Sequence, residues 1–175
     1  QPISIHVAET AHENDLTLRG EGVMAEFRAR FGLEVPQTGK SVVASIYDLG
    51  VLRKGTQCVH VCALEPGDLD LLVESGVTIA HCPRSNKNLG CPAAPVRRFL
   101  DAGIIVGLGM DSAASSGPID MFEEMRSALH TSYALREPLS AEEVWRMATS
   151  MGARSFGDPS PEAWDIYEGS KTQLI

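Results

Sequence analysis

No apolar run in the 175-residue sequence approaches a membrane span, for which a helix needs about 20 residues. Positive charge is in deficit: 15 Lys and Arg stand against 23 Asp and Glu, for a formal net charge of −8. That balance argues against a nucleic-acid backbone or an anionic membrane as partner. Cysteine is sparse, with single residues at 58, 62, 82 and 91. They lie in or beside apolar runs of a chain able to form its own core, so a reduced, cytoplasmic setting is expected rather than a disulfide framework. The N-terminus has no basic segment leading into an apolar one, as a signal peptide would. It begins without Met, inside the strand-like run "QPISIHVAE", as a piece of a longer protein would. Two catalytic loops are also missing. "GLGMDS" is a lone G-x-G without the third glycine of a dinucleotide loop, and no G-x-S-x-G marks a serine hydrolase elbow.

What is present is enough apolar residue, 43%, to bury a core. Short apolar runs alternate with helical patterns. "ISIHVAE", "TQCVHVCAL", "VTIAHCP" and "IIVGLGMD" read as strands. They are continuously apolar rather than alternating, as parallel strands covered on both faces are. Helices are expected near Gly22–Phe31, over "SVVASIYDLGVL" with Ser41 as N-cap, over "EPGDLDLLVESG" ended by Gly76, and over "APVRRFLDAG". Two more are expected near Ile119–Leu135 and over Ser140–Ala153, the latter opening with the Ser140/Glu143 spacing of a capping box. The segments after "ISIHVAE" and within "HCPRSNKNLG" read as a polar connection and a loop, and residues 156–175 as an irregular tail. Repeated strand–helix alternation specifies an α/β fold over residues 1–155.

Each strand ends in or near a group able to do chemistry: His6, His60, His81 and Asp111. Parallel α/β folds place active groups at these carboxyl ends. His6 and Glu9 form H-x-x-E, which is either a strand end followed by a helix-entry acid or a metal-binding imidazole beside a proton-moving carboxylate. His60 lies between Cys58 and Cys62, at steps of about 6.6 Å along a strand. A single tetrahedral zinc cannot be reached from all three, because its ligands sit about 2.0–2.3 Å from the metal. His60 is therefore a core histidine or a functional one by itself. Around His81, Ser85 and Asn86 are either turn formers or braces for the site, and Arg84 is a candidate for a substrate anion. Asp111 leads into the small residues "SAASSG", either as the N-cap of the next helix or as a carboxylate whose burial a metal would compensate.

Taken together, "HVAE", "VHVCAL", "HCPRSNKNLG" and "GLGMDSAAS", in this order, resemble the amidohydrolase superfamily. The resemblance is to its branch of cytosine deaminases, guanine deaminases and chlorohydrolase-like enzymes, with "CPRSN" and "LG" most similar to aminofutalosine deaminases. It implies a (β/α)8 TIM-type barrel, of which this chain supplies about half, strands 5–8 with their helices. It also implies one divalent metal ion, zinc before iron or manganese, bound by His6 and Asp111. In that pattern Glu9 shuttles protons, His60 polarises substrate or hydroxide, and Asp111 accepts the proton of the attacking water. His81, Arg84, Ser85 and Asn86 would contact the substrate or brace the site. The implied reaction is hydrolytic removal of an exocyclic amine from an aromatic nitrogen heterocycle or nucleoside-like small molecule. A chloride or amide leaving group is the nearest variant, and a non-catalytic α/β assembly module is the rival. The sequence departs from the pattern in lacking the first-strand H-x-H and in placing Met110 where threonine is usual before the aspartate. Half a barrel exposes two sheet edges, so a homo-oligomer or swapped dimer through those edges is expected.

Overall fold

The computed structural model describes residues 3–156. Four short strands form one parallel sheet: β1 (Ile3–Val7), β2 (Thr56–His60), β3 (Thr78–His81) and β4 (Val106–Leu108). Their order in the sheet is their order in the chain. A doubly wound sheet reverses its strand order at a switch point, whereas a barrel adds strands in one direction, so the four βα units form part of a (β/α)8 barrel. Across the ladders Val7 faces His60, Val59 faces Ala80 and His81 faces Leu108. This register sets the carboxyl ends of the strands side by side along one rim.

Parallel neighbours need long crossovers, and helices supply them. After β1 come α1 (Ala11–Asn14), a wider π-type turn over Asp15–Arg19, α2 (Val23–Arg30) and α3 (Val42–Asp48). After β2 comes α4 (Asp68–Ser75), and after β3 come α5 (Pro83–Asn88) and α6 (Val96–Asp101). After β4 come α7 (Ala113–Ser116), α8 (Met121–Ala134), α9 (Ala141–Ala148) and α10 (Ser150–Arg154). Several boundaries follow from local chemistry. Ser41 Oγ accepts from the Ala44 N–H at 3.0 Å and opens α3, and Ser140 with Glu143 closes a capping box on α9. Gly76, at φ +63°, ends α4 in the left-handed conformation. None of these helices is long and apolar enough to cross a membrane.

The core is one cluster in which Val43, Leu72, Ile79, Phe99, Val106, Val144 and Met147 are nearly or fully buried. Each side chain of that kind contributes about 1.5–3 kcal/mol by leaving water. β2 is buried along its whole length. β1 is not: Ser4 and His6 are exposed. Continuous burial therefore holds for β2 and β4, whereas β1 and β3 alternate between buried and more exposed positions.

Three other expectations are corrected. The polar connection after β1 is helical, in α1 and the π-type turn. The loop expected in "HCPRSNKNLG" is the helix α5; Pro83 fits its first turn, where no N–H is needed. Ser85 and Asn86 spend their polar groups on distant partners rather than on local turns. The single helix expected over Ser140–Ala153 breaks at Thr149, with φ −125° and ψ −103°, and α10 turns back onto β4. There Ser155 accepts from Gln57 Nε2 at 2.9 Å through its hydroxyl and from Thr78 Oγ1 at 2.7 Å through its carbonyl. Of the tail expected over 156–175, all but Phe156 lies outside the described residues.

Candidate active site

The strand ends that form the rim are unusual in their backbone. Ala8 after β1, His60 and Val61 at the end of β2, and Asp111 after β4 all have positive φ, between +50° and +74°. For residues other than glycine this conformation costs about 1–3 kcal/mol each. Strain at three of four strand ends therefore has to be held by surrounding contacts. At β1 the holder is Glu13, whose carboxylate accepts the N–H groups of Ala8 and Glu9 at 2.7 Å and of Thr10 at 3.0 Å. At β2 the Ala8 carbonyl accepts the N–H groups of Cys62 at 2.8 Å and Ala63 at 2.7 Å. The two turns lock each other, and the lock sets Glu9 beside His60.

His6, Glu9 and His60 each offer a ligand-capable atom within 4.8 Å of the others. The His6 and His60 rings meet edge to face, with centroids 4.7 Å apart and planes at 88°. His60 is fully buried, and its Nε2 lies 3.7 Å from Glu9 Oε1, too long for a hydrogen bond. That nitrogen has no hydrogen-bond partner among the described residues. Burial lowers the His60 pKa; Glu9 opposes the shift and His6 adds to it. His60 Nδ1 is held 2.9 Å from Asn86 Nδ2, which comes from α5. With the amide donating, Nδ1 accepts and the ring proton sits on Nε2, facing Glu9.

Asp111 stands apart from this group. Its Oδ2 accepts from Ser85 Oγ at 2.7 Å and from Ser115 Oγ at 2.9 Å. Desolvation opposes its ionisation, but the two hydroxyls, with the charges of His60 and His6 behind them, hold its carboxyl below the usual range. Asp111 does not cap the following helix: Ser112 does, accepting from the Ser115 N–H. The even strand spacing expected for Cys58, His60 and Cys62 is also broken, because β2 ends at His60 and Val61 turns left-handed. Burial pushes the Cys58 and Cys82 thiols up to about 12 and the Cys62 thiol up as well. These three are packing residues in their protonated form.

Ser85 and Asn86 are buried braces, one on Asp111 and one on His60. His81 is buried at the end of β3, its Nδ1 has no hydrogen-bond partner among the described residues, and burial lowers its pKa to about 4. Arg84 faces protein: its guanidinium donates to the Pro118 carbonyl at 3.1 Å and lies 3.5 Å from buried Glu124. Two residues to which the sequence pattern assigned no site role belong here. Glu13 was visible in "TAHE", the spacing of a helix-capping box. Cys91, whose thiol donates to Glu9 Oε1 at 3.7 Å from 82 positions away, carries no local signal.

The model of the amidohydrolase family matches residues 1–160. A 5-methylthioadenosine/S-adenosylhomocysteine deaminase of Pelotomaculum thermopropionicum is 41% identical, over 99% of this chain and 36% of its own length. The enzyme of the same name from Thermococcus onnurineus is 39% identical over 137 residues, 77% of this chain and 32% of its own. Among solved structures, a zinc-bound adenosine deaminase from Xanthomonas campestris superimposes with a TM-score of 0.72 at 30% identity, covering 90% of this chain and 33% of that one. The chain thus spans about a third of the length of the proteins it matches. Its fold, its motifs and these matches make the chain a member of the amidohydrolase family.

Proposed function

We propose that this chain carries half of the active site of a metal-dependent aminohydrolase that removes the exocyclic amine of an adenosine-type nucleoside. The carrying observation is the meeting of His6, Glu9 and His60, from two different strand ends, within 4.8 Å. The His6 imidazole and the Asp111 carboxylate are donor types that suit a divalent cation. A catalytic zinc site takes about three protein donors and keeps a position for water, so at least one further donor would come from outside this chain. We assign His6 and Asp111 as its holders here, and zinc as its identity, in keeping with the zinc-bound relative. Such a cation supplies Lewis acidity, lowering the pKa of water toward about 7.

The chain's own groups handle protons and orientation. Glu9, pinned by the turn that Glu13 organises, is placed to carry a proton to the leaving amine. His60, with its proton directed to Nε2 by Asn86, is a donor that can stabilise negative charge developing on the heterocycle. Asp111, kept ionised by Ser85 and Ser115, is the base that takes a proton from water. The relatives' names point to 5-methylthioadenosine and S-adenosylhomocysteine as substrates to try. We assign the outer edge of β1, with its exposed Ser4 and His6, as a seam for further strands of the parent protein or for a second copy.

The test is ammonia release from 5-methylthioadenosine by the parent protein, with metal content measured alongside. Glu9→Gln and Asp111→Asn are each expected to lower kcat by at least two orders of magnitude, in line with the general acid–base contribution of about 10²–10⁴. Wild-type turnover in either variant, or a metal-free protein that turns over at the full rate, overturns the assignment.

A further inference from the structure

A cleft of about 760 Å³ lies in the helical layer, between α5, the turn at Cys91–Ala94 and α8. None of His6, Glu9, His60 or Asp111 lines it. Its volume falls within the range of about 300–1,000 Å³ typical of small-molecule sites. Its walls carry Arg84, Lys87 and Arg126 against a single lining carboxylate, Glu123. Arg126 pairs with Glu123 at 2.5 Å, and Arg84 lies 3.5 Å from Glu124 behind the wall. With those pairs matched, Lys87 leaves the cleft positive by one charge on a chain whose net charge is −8. His81 also lines the cleft, only 2% exposed and with Nδ1 lacking any partner among the described residues. Hydroxyls from Ser127 and Thr131 complete a polar wall opposite Pro92 and Ala94.

We propose that this cleft is a second ligand site, for a small dianion with an organic body, either a phosphate monoester or a dicarboxylate. The Lys87 ammonium from α5 and the Arg126 guanidinium from α8 suit such an anion, since Arg offers a planar fork and Lys a mobile point charge. The cleft also has a route to the rim. Asn86 and Cys91 line it, and the same two side chains hold His60 Nδ1 and touch Glu9 Oε1. A ligand that favours one setting of α5 would therefore bias the orientation of both groups. This last step rests on the proposed role of the rim, whereas binding does not.

Titration calorimetry at low ionic strength, with inorganic phosphate and succinate as separate probes, tests binding. Saturable binding of one equivalent is expected, weakened at least tenfold by Lys87→Glu and by Arg126→Glu. Both residues are exposed, so folding is not at issue. Binding of phosphate alone marks the ligand as a phosphate ester, and binding of succinate alone marks it as a carboxylate. Asp111→Asn is expected to bind both probes as the wild type does; loss of binding there would place the anion at the rim and overturn the proposal. Absence of saturable binding, or affinities unchanged in both charge reversals, overturns it as well. Deaminase activity enters none of these readouts.

Discussion

Asn86 Nδ2 lies 2.9 Å from Nδ1 of His60, and both side chains are buried. One contact between α5 and the end of β2 thus decides which face of an imidazole carries its proton. Removing the amide leaves Nδ1 buried without a partner, which costs about 1–3 kcal/mol. Asn86→Leu is expected to lower the unfolding free energy by that amount and to mix the His60 tautomers. Nitrogen chemical shifts of the ring report the tautomer directly. A single, unchanged Nε2-protonated form in the variant would show that Asn86 does not set it.

Glu13 is a positioning residue. Its carboxylate gathers three successive N–H groups and so holds the turn that bears Glu9. Glu13→Gln keeps the shape but has one acceptor oxygen in place of two. Partners of this kind are worth about 10–100-fold in activity, and the loss is expected in kcat with KM unchanged. Amide shifts of residues 8–10 should move together. Unaltered amide shifts and kcat would remove Glu13 from this role.

His81 titrates near pH 4 in the folded chain, against an ordinary value of 6.5, because burial disfavours its charged form. Between those values the unfolded chain binds a proton that the folded chain refuses. Stability therefore rises with pH across this window, is complete above it, and is lost as pH falls toward 4. The slope from one such group reaches about 1.4 kcal/mol per pH unit. Urea unfolding at a series of pH values should show this limb, and His81→Gln should flatten it by one proton's share. An identical slope in the variant would assign the proton elsewhere.

Gly107 in β4 has no room for a side chain. A Cβ there would lie 2.8 Å from Gly152 Cα and 2.8 Å from Ser155 Oγ. Gly107→Ala is expected to cost about 1–3 kcal/mol by overpacking, read as a lower urea midpoint. Gly109→Ala, whose Cβ would meet Cys82 Sγ at 3.1 Å, is expected to cost less. Equal midpoints for the two variants would mean that α10 moves aside freely.

Much of this was legible residue by residue. The apolar runs marked all four strands, Gly76 and Ser140 marked helix boundaries, and H-x-x-E marked His6 and Glu9, because each signal lies within a few positions. α5 was not legible. Ser85 and Asn86 are turn formers by propensity, and only partners 26 positions away turn them inward. Asp111 was equally ambiguous, since the sequence alone does not show that Ser112 takes the cap and leaves the Asp111 carboxylate to the Ser85 and Ser115 hydroxyls.

The order of apolar strands and their punctuating glycines and caps determined a parallel α/β chain with His6, His60, His81 and Asp111 at or just after the strand ends, since periodicity and capping are short-range properties. Only the tertiary structure decided that His60 turns left-handed to meet Glu9, that Asn86 orients it, that Cys91 joins them and that a cationic cleft opens behind. Those outcomes depend on the register of four strands and on contacts between residues tens of positions apart, which no local pattern encodes.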